Sequence, residues 1–188
     1  GEVSILVVTP SAACLAAASP LEGVVLYDPP CHREEWEMVL RAAASGGARQ
    51  LFLCFGLEEL RETCDRVASL IPDREFLARL YMALRWFAHR EAVTARPWQK
   101  PFRRHLASLL RRGGCARAQE FTVAVGLIVL EELGLLRRVA RGRFWLPHVR
   151  GEKKDLSSSL TFCRLQKLKE EIAAWVDYVL GKEVEKLV

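Results

Sequence analysis

Residues 121–146 read FTVAVGLIVLEELGLLRRVARGRFWL. Between 121 and 130 every residue except Thr122 is apolar or glycine. The pattern predicts a helix over 116–133 that closes at Gly134, the residue type that ends helices in the left-handed conformation. Two short strands are expected next, over 135–139 and 143–146, joined by a tight turn at Arg141 and Gly142. A helix that is apolar all round is buried, and ten such residues are too few to cross a bilayer. A helix that reads bases must show polar side chains to the groove. This one has only Arg117, Gln119 and Glu120, in its first turn, to offer. It is therefore read as the spine of a core, with any contact surface on what surrounds it.

Residues 1–71 alternate strand and helix. Apolar runs at 4–9, 24–27 and 51–55 predict strands, the first two buried on both faces. Helices are expected over 12–18, 33–44 and 57–70. Strand-helix-strand repeats with short loops predict a small parallel sheet with right-handed crossovers. Pro72 and Asp73 mark a boundary. Beyond it, a helix over 75–89 puts Phe76, Leu77, Leu80, Leu84 and Phe87 on one side. A second, over 102–112, turns Leu106, Leu109 and Leu110 inward and ends at Gly113 and Gly114. After the hairpin, 150–159 reads as a polar, extended linker. Residues 160–180 form a long amphipathic helix with Leu165, Leu168, Ile172, Trp175, Val176 and Val179 in one stripe.

The expected fold class is therefore α/β: a small three-stranded parallel sheet with flanking helices, then a winged-helix-like helical subdomain, then a long C-terminal helix. The expected domains are 1–71 (parallel α/β, Rossmann-like), 72–150 (basic, winged-helix-like) and 151–188 (linker and C-terminal helix packing back on the core).

The composition, 51% apolar and 27% charged over 188 residues, is that of a globular domain. With no apolar run near ~18 residues, no membrane span or membrane partner is expected. Gly1 directly before a strand reads as a cloning remnant, and the chain is expected to begin inside a longer protein. Arg outnumbers Lys 21 to 7 and Asn is absent, which fits a thermophile or a GC-rich genome. The six cysteines at 14, 31, 54, 64, 115 and 163 show no paired spacing. Those at 14, 54, 64 and 163 fall among apolar residues, where free Cys packs as a small hydrophobe. Reduced thiols and a cytoplasmic protein are expected.

Charge is unevenly distributed. Residues 1–71 hold 5 Arg against 10 Asp and Glu; 72–150 hold 16 Lys and Arg against 6 acids; 151–188 hold 7 of each. The net values are −5, +10 and zero, and a surplus of that size points to an anionic partner for the middle segment. The candidate binding residues are Arg103, Arg104, Arg111, Arg112, Arg117, Arg137, Arg138, Arg141 and Arg143, with Trp145. Arg forks suit phosphates, and an exposed aromatic can stack on a base. The competing reading is a solvated basic face with Phe144 and Trp145 in the core. Trp86, Trp98 and Trp145 are also candidates to line a groove for a peptide, with core packing favoured for Trp86.

Signs of catalysis are sparse. A ligand of the parallel sheet would sit beyond the strand C-termini, at Thr9-Pro10-Ser11, Asp28-Pro29-Pro30 and Phe55-Gly56. Neither G-x-G-x-x-G nor a phosphate-binding glycine loop occurs there. Cys31-His32 has no second ligand pair for a metal. No catalytic residue, metal or cofactor is assigned to this chain.

Several stretches resemble one family in order and spacing. Leu6-Val-Val-Thr-Pro10 is similar to its opening strand, and Leu26-Tyr-Asp-Pro-Pro30 to its second strand and turn. Pro72-x-x-x-Phe76-x-x-x-x-Tyr81 is similar to its first helix after the sheet. Leu130-Glu-Glu-Leu-Gly-Leu-Leu136 resembles a Phe-x-Glu-Leu-Gly-Phe-Val element. Lys154-Asp-Leu-x-x-Ser159-x-x-Phe162 resembles its Leu-x-x-Ser-x-x-Tyr signature. The chain thus resembles, over nearly its whole length, the C-terminal accessory domain of bacterial RecJ, a 5′-to-3′ exonuclease of single-stranded DNA, in its Firmicutes-type form. That nuclease uses an Asp-His-His core binding manganese or magnesium, which is missing here. The resemblance therefore implies a non-catalytic accessory domain that assists DNA binding or recruits a repair partner. The implied partners are single-stranded DNA, the acidic tail of the single-stranded-DNA-binding protein, and the catalytic core of the same chain. The alternatives are a winged-helix regulator of duplex DNA and an enzyme with a site at the sheet edge.

Overall fold

The computed structural model describes residues 5–8, 22–90, 99–138, 144–146 and 154–181. The protein is mixed α/β and mostly helical, with six helices among these residues. It divides into two compact units, one of Gly1–Ala68 with Lys169–Val188 and one of Ser69–Leu168.

In the first unit, β2 (Gly23–Leu26) and β3 (Gln50–Leu53) run parallel, with Gly23 opposite Gln50 and Leu26 opposite Leu53. The backbone of β1 (Ile5–Val8) runs parallel along the other side of β2. Strand residues alternate between faces, so Val24 and Leu26 share a face with Leu51 and Leu53. Val24 and Leu26 are buried, and Leu51 and Leu53 are half-buried. Gly23 leaves room for the Phe52 ring, which a Cβ there would meet at 3.3 Å. Val25 is only half-buried, so β2 is not enclosed on both faces as its continuous apolar run predicts. The segment 9–21, with the expected helix over 12–18 and Thr9-Pro10-Ser11, lies outside the described residues.

Helix α1 (Arg33–Ser45) turns Trp36, Val39 and Ala43 inward, and α2 (Leu57–Ser69) turns in Leu60 and Cys64. From Lys169 onward, the final helix adds Ile172, Trp175 and Val179 to this unit. The Trp175 indole N–H donates to the Pro30 carbonyl at 2.9 Å, which fixes the turn after β2. Trp36 and Trp175 lie 6.5 Å apart between ring centroids, and Tyr178 stacks on Trp175 at 5.9 Å.

The cysteines depart from expectation. Cys54 and Cys163 are exposed, whereas Cys31, which no apolar run flags, is buried beside Cys64. The run around residue 54 ends in a sheet edge, and Cys163 lies off the inward stripe of its helix. Cys14 lies outside the described residues.

The second unit begins with α3 (Arg74–Arg90), whose first turn is capped by Asp73 accepting the Phe76 N–H at 2.7 Å. Next come α4 (Lys100–Arg112) and α5 (Glu120–Glu132). A short antiparallel ladder follows, β4 (Arg137–Arg138) with β5 (Phe144–Trp145). The expected turn at Arg141 and Gly142 lies outside the described residues. The core joins Phe76, Leu80, Leu84 and Phe87 of α3, Leu106 and Leu110 of α4, and Val123, Leu127 and Leu130 of α5. Gly126 allows α3 and α5 their contact: a Cβ there would stand 2.6 Å from Leu80 Cδ2 and 3.2 Å from Phe76 Cε1.

Three expectations are corrected here. Helix α5 starts at Glu120, not 116, because Cys115–Ala118 forms a separate turn and Gln119 is extended at φ −115°. That turn buries Ala118 completely and leaves Arg117 ahead of the helix. The apolar helix is not enclosed on all sides, since Phe121 and Ile128 are 56% and 40% exposed. Trp86 is not core; it is half exposed and meets Phe87 edge-on at 4.9 Å.

The polar stretch before the last helix is not simply extended. Leu156–Ser158 makes a 3-10 turn whose start is capped by Asp155, and α6 (Leu160–Leu180) follows. Leu156 and Phe162 pack on Leu77, Val129 and Leu133 in a second small core.

Candidate functional site

Ser69–Leu168 contains 20 Lys and Arg against 8 Asp and Glu, a net charge of +12. The candidate arginines fall into three local groups, at the start of α4, at its end and on the β4–β5 ladder.

The first group lies where α4 and α5 begin. Arg103 Nη2 and Arg104 Nε both reach Glu120, at 3.3 and 3.0 Å. Arg103 is half-buried and its Nε–H meets no acceptor. Burial pushes the Glu120 carboxyl up, but Arg104, Lys100 and Arg103 outweigh it and hold Glu120 below the usual carboxylate range. One carboxylate thus holds two guanidinium groups and cancels one of their charges.

The second group surrounds the end of α4. Arg111 and Arg112 are exposed in its last turn, and Arg117 is exposed in the turn beyond. Arg111 Nη1 donates to the Ala118 carbonyl at 3.3 Å, and Arg112 Nη2 to the Ser108 hydroxyl at 3.4 Å. None of the three pairs with a carboxylate among the described residues. Positive charge at a helix C-terminus also complements the helix dipole, so part of this clustering is structural. Arg79, absent from the sequence-derived set, joins the group by donating to the Gly113 carbonyl at 2.8 Å. Its spacing four residues after Glu75 marks it as an ordinary solvated pair, and the two are indeed 2.7 Å apart. Its reach to Gly113 depends on the packing of α3 beside α4, which no local pattern encodes.

The third group is the ladder. Arg137 and Arg138 are exposed, and Arg138 Nη2 reaches Glu131 at 3.2 Å. Phe144 is half-buried against the main core, so it packs instead of offering a stacking face. Arg141 and Arg143 lie outside the described residues, as does the side chain of Trp145.

A guanidinium group without a carboxylate partner keeps most of its N–H donors available for phosphate or carboxylate oxygens, here all but the one each that Arg111 and Arg112 give to Ala118 and Ser108. By that measure Arg111, Arg112 and Arg117 are the ready part of the site. Arg103, Arg104 and Arg138 must first exchange an internal partner. Among the described residues no cluster of three or more His, Cys, Asp or Glu side chains is placed to hold a metal ion. No helix among them is long and apolar enough to cross a membrane.

Compared with protein-family models, with curated proteins and with solved structures, the chain finds no match.

Proposed function

We propose that this protein is a non-catalytic, cytoplasmic accessory domain of a RecJ-type single-stranded-DNA exonuclease, holding an anionic partner on its basic second unit. The carrying observation is that Arg111, Arg112 and Arg117, exposed around the end of α4, have no carboxylate partner among the described residues of a unit of net charge +12. The preferred partner is single-stranded DNA, whose phosphates are closely spaced and need no fixed groove. The acidic tail of a single-stranded-DNA-binding protein is the second choice. The family part rests on the quoted motifs, two of which meet in space: Glu132 of Leu130–Leu136 accepts from Ser159 of the Leu-x-x-Ser-x-x-Phe signature. In the same proposal the first unit holds a three-stranded parallel sheet, and the second is a winged-helix-like unit of α3, α4, α5 and the β4–β5 ladder.

Duplex reading by α5 is the weaker alternative. A recognition helix presents donors and acceptors to base edges, and the exposed side chains of α5 include Phe121 and Ile128. Fluorescence anisotropy with a single-stranded oligonucleotide, a duplex and an acidic peptide, each at low and moderate salt, tests the proposal. Salt-sensitive binding of the single strand in preference to the duplex is expected. Absence of binding to both single strand and peptide would leave only a scaffolding role.

A further inference from the structure

We infer that the first unit holds a binding site for a small, uncharged aromatic molecule, in an apolar cavity at the carboxyl ends of β2 and β3. The cavity measures about 130 Å³. Its walls are Pro30 after β2, Phe55 after β3, Trp36 of α1, Leu60 of α2, and Trp175 and Val179 of α6. Ligands of parallel sheets gather beyond the strand C-termini because the connecting loops part there.

Three features specify the guest. The first is size: a closed cavity of roughly 150 Å³ lined by apolar side chains accepts one benzene ring, and this one is slightly smaller but open to solvent on one side, so a ring fits with one edge outside. The second is polarity. Every wall side chain is apolar or an indole, and the Pro30 carbonyl is taken by the Trp175 indole N–H at 2.9 Å. Water needs two to four polar partners to stay in a cavity, and a charged guest would go unpaired at heavy desolvation cost. The third is wall geometry. The Trp36 and Trp175 rings are tilted 36° to each other, and such faces favour an aromatic guest in an offset or edge-on pose. Because the walls are apolar, the site binds without acid–base chemistry of its own.

This inference stands apart from the nucleic-acid reading: its wall residues all belong to the first unit and the candidate arginines to the second. The test is fluorine NMR of fluorobenzene titrated with the chain, alongside proton spectra of the indole N–H resonances. Saturable binding is expected, with a dissociation constant on the order of 0.1–1 mM, and with ring-current shifts at Trp36 and Trp175. Val179→Phe fills the cavity from α6 and Leu60→Phe fills it from α2; either should weaken binding at least tenfold. The inference is overturned if fluorobenzene does not saturate the wild-type chain up to its solubility limit. It is equally overturned if the shifts fall on other tryptophans, or if a folded filled variant binds as well as the wild type.

Discussion

Glu132, in the last turn of α5, holds the start of α6 through Ser159. The Ser159 hydroxyl donates to Glu132 Oε2 at 2.6 Å and accepts the Phe162 N–H at 3.1 Å, as an N-cap does. Thr161 adds its backbone N–H at 3.0 Å and its hydroxyl at 2.5 Å to the same carboxylate. A carboxylate at a helix N-terminus also meets the positive end of the dipole. Ser159 is fully buried, so its hydroxyl depends on these partners.

Ser159→Ala should lower stability by about 1 kcal/mol, read as a lower urea midpoint at unchanged slope. Glu132→Gln tests the charge. Partial burial pushes the Glu132 carboxyl up, but hydrogen bonds from Ser159 and Thr161, with Arg164 nearby, outweigh it and hold Glu132 below the usual range. A lowered folded-state value gives stability that is present above the unfolded value, roughly 4.3, and lost as pH falls through the folded one. The wild-type advantage over Glu132→Gln should therefore be largest near neutral pH and shrink below about pH 4. An advantage independent of pH would rule out the charge as its source.

Gly126→Ala places a methyl group 2.6 Å from Leu80 Cδ2 inside the packed core, with Phe76 and Leu77 close behind. Alanine favours helix by up to ~1 kcal/mol over glycine, but overpacking costs about 1–3 kcal/mol. Leu80 and Leu84 are fully buried and leave little room to shift, so the net effect should be destabilising. A rise in the midpoint of urea unfolding would show that α3 and α5 yield more easily than this packing suggests.

Removing Arg111, Arg112 and Arg117 together, as alanines, should weaken oligonucleotide binding at every sequence. The slope of log affinity against log salt should fall by about 2, since each phosphate contact to a single strand contributes roughly 0.7. The three residues are exposed, so the chain should stay folded, with a melting temperature lowered only modestly by the lost helix-dipole and Ala118 contacts. An unchanged salt slope would remove these side chains from the interface.

Glu120→Gln should act in the opposite direction. It removes the carboxylate shared by Arg103 and Arg104, freeing both for phosphate. Oligonucleotide affinity should increase severalfold at low salt, an effect that anisotropy resolves. Weaker binding would mean that Glu120 positions these arginines for the partner instead of competing with it.

Cys31 and Cys64 are buried together, with the Cys64 thiol facing the Cys31 carbonyl at 3.9 Å. A hydrogen bond from the Cys64 thiol stabilises the Cys31 thiolate and lowers its value, against burial and the charges of Glu35 and Asp28. The same contact, with burial, keeps Cys64 protonated. Alkylation of Cys31, followed by peptide mass mapping, should therefore show its pH midpoint below that of an ordinary thiol. Cys64→Ala should move that midpoint upward; a midpoint that stays put would exclude the pairing.

Local order was legible from residue order alone. Gly134 takes φ +69°, and α6 spans 160–180 as its stripe of Leu165, Leu168, Ile172, Trp175, Val176 and Val179 implies. The mixed α/β character and the concentration of positive charge beyond residue 72 follow from sequence too. Helical periodicity and backbone preference act over a few residues, so they survive without knowledge of the fold. Tertiary packing decided the rest. Glu120 meets an arginine 16 residues away, Glu132 meets Ser159 27 residues on, and Trp175 meets Pro30 across 145 residues. Which arginine escapes a carboxylate partner, which apolar residue faces water, and where a cavity is left all depend on how distant elements pack, and no short-range pattern carries that information.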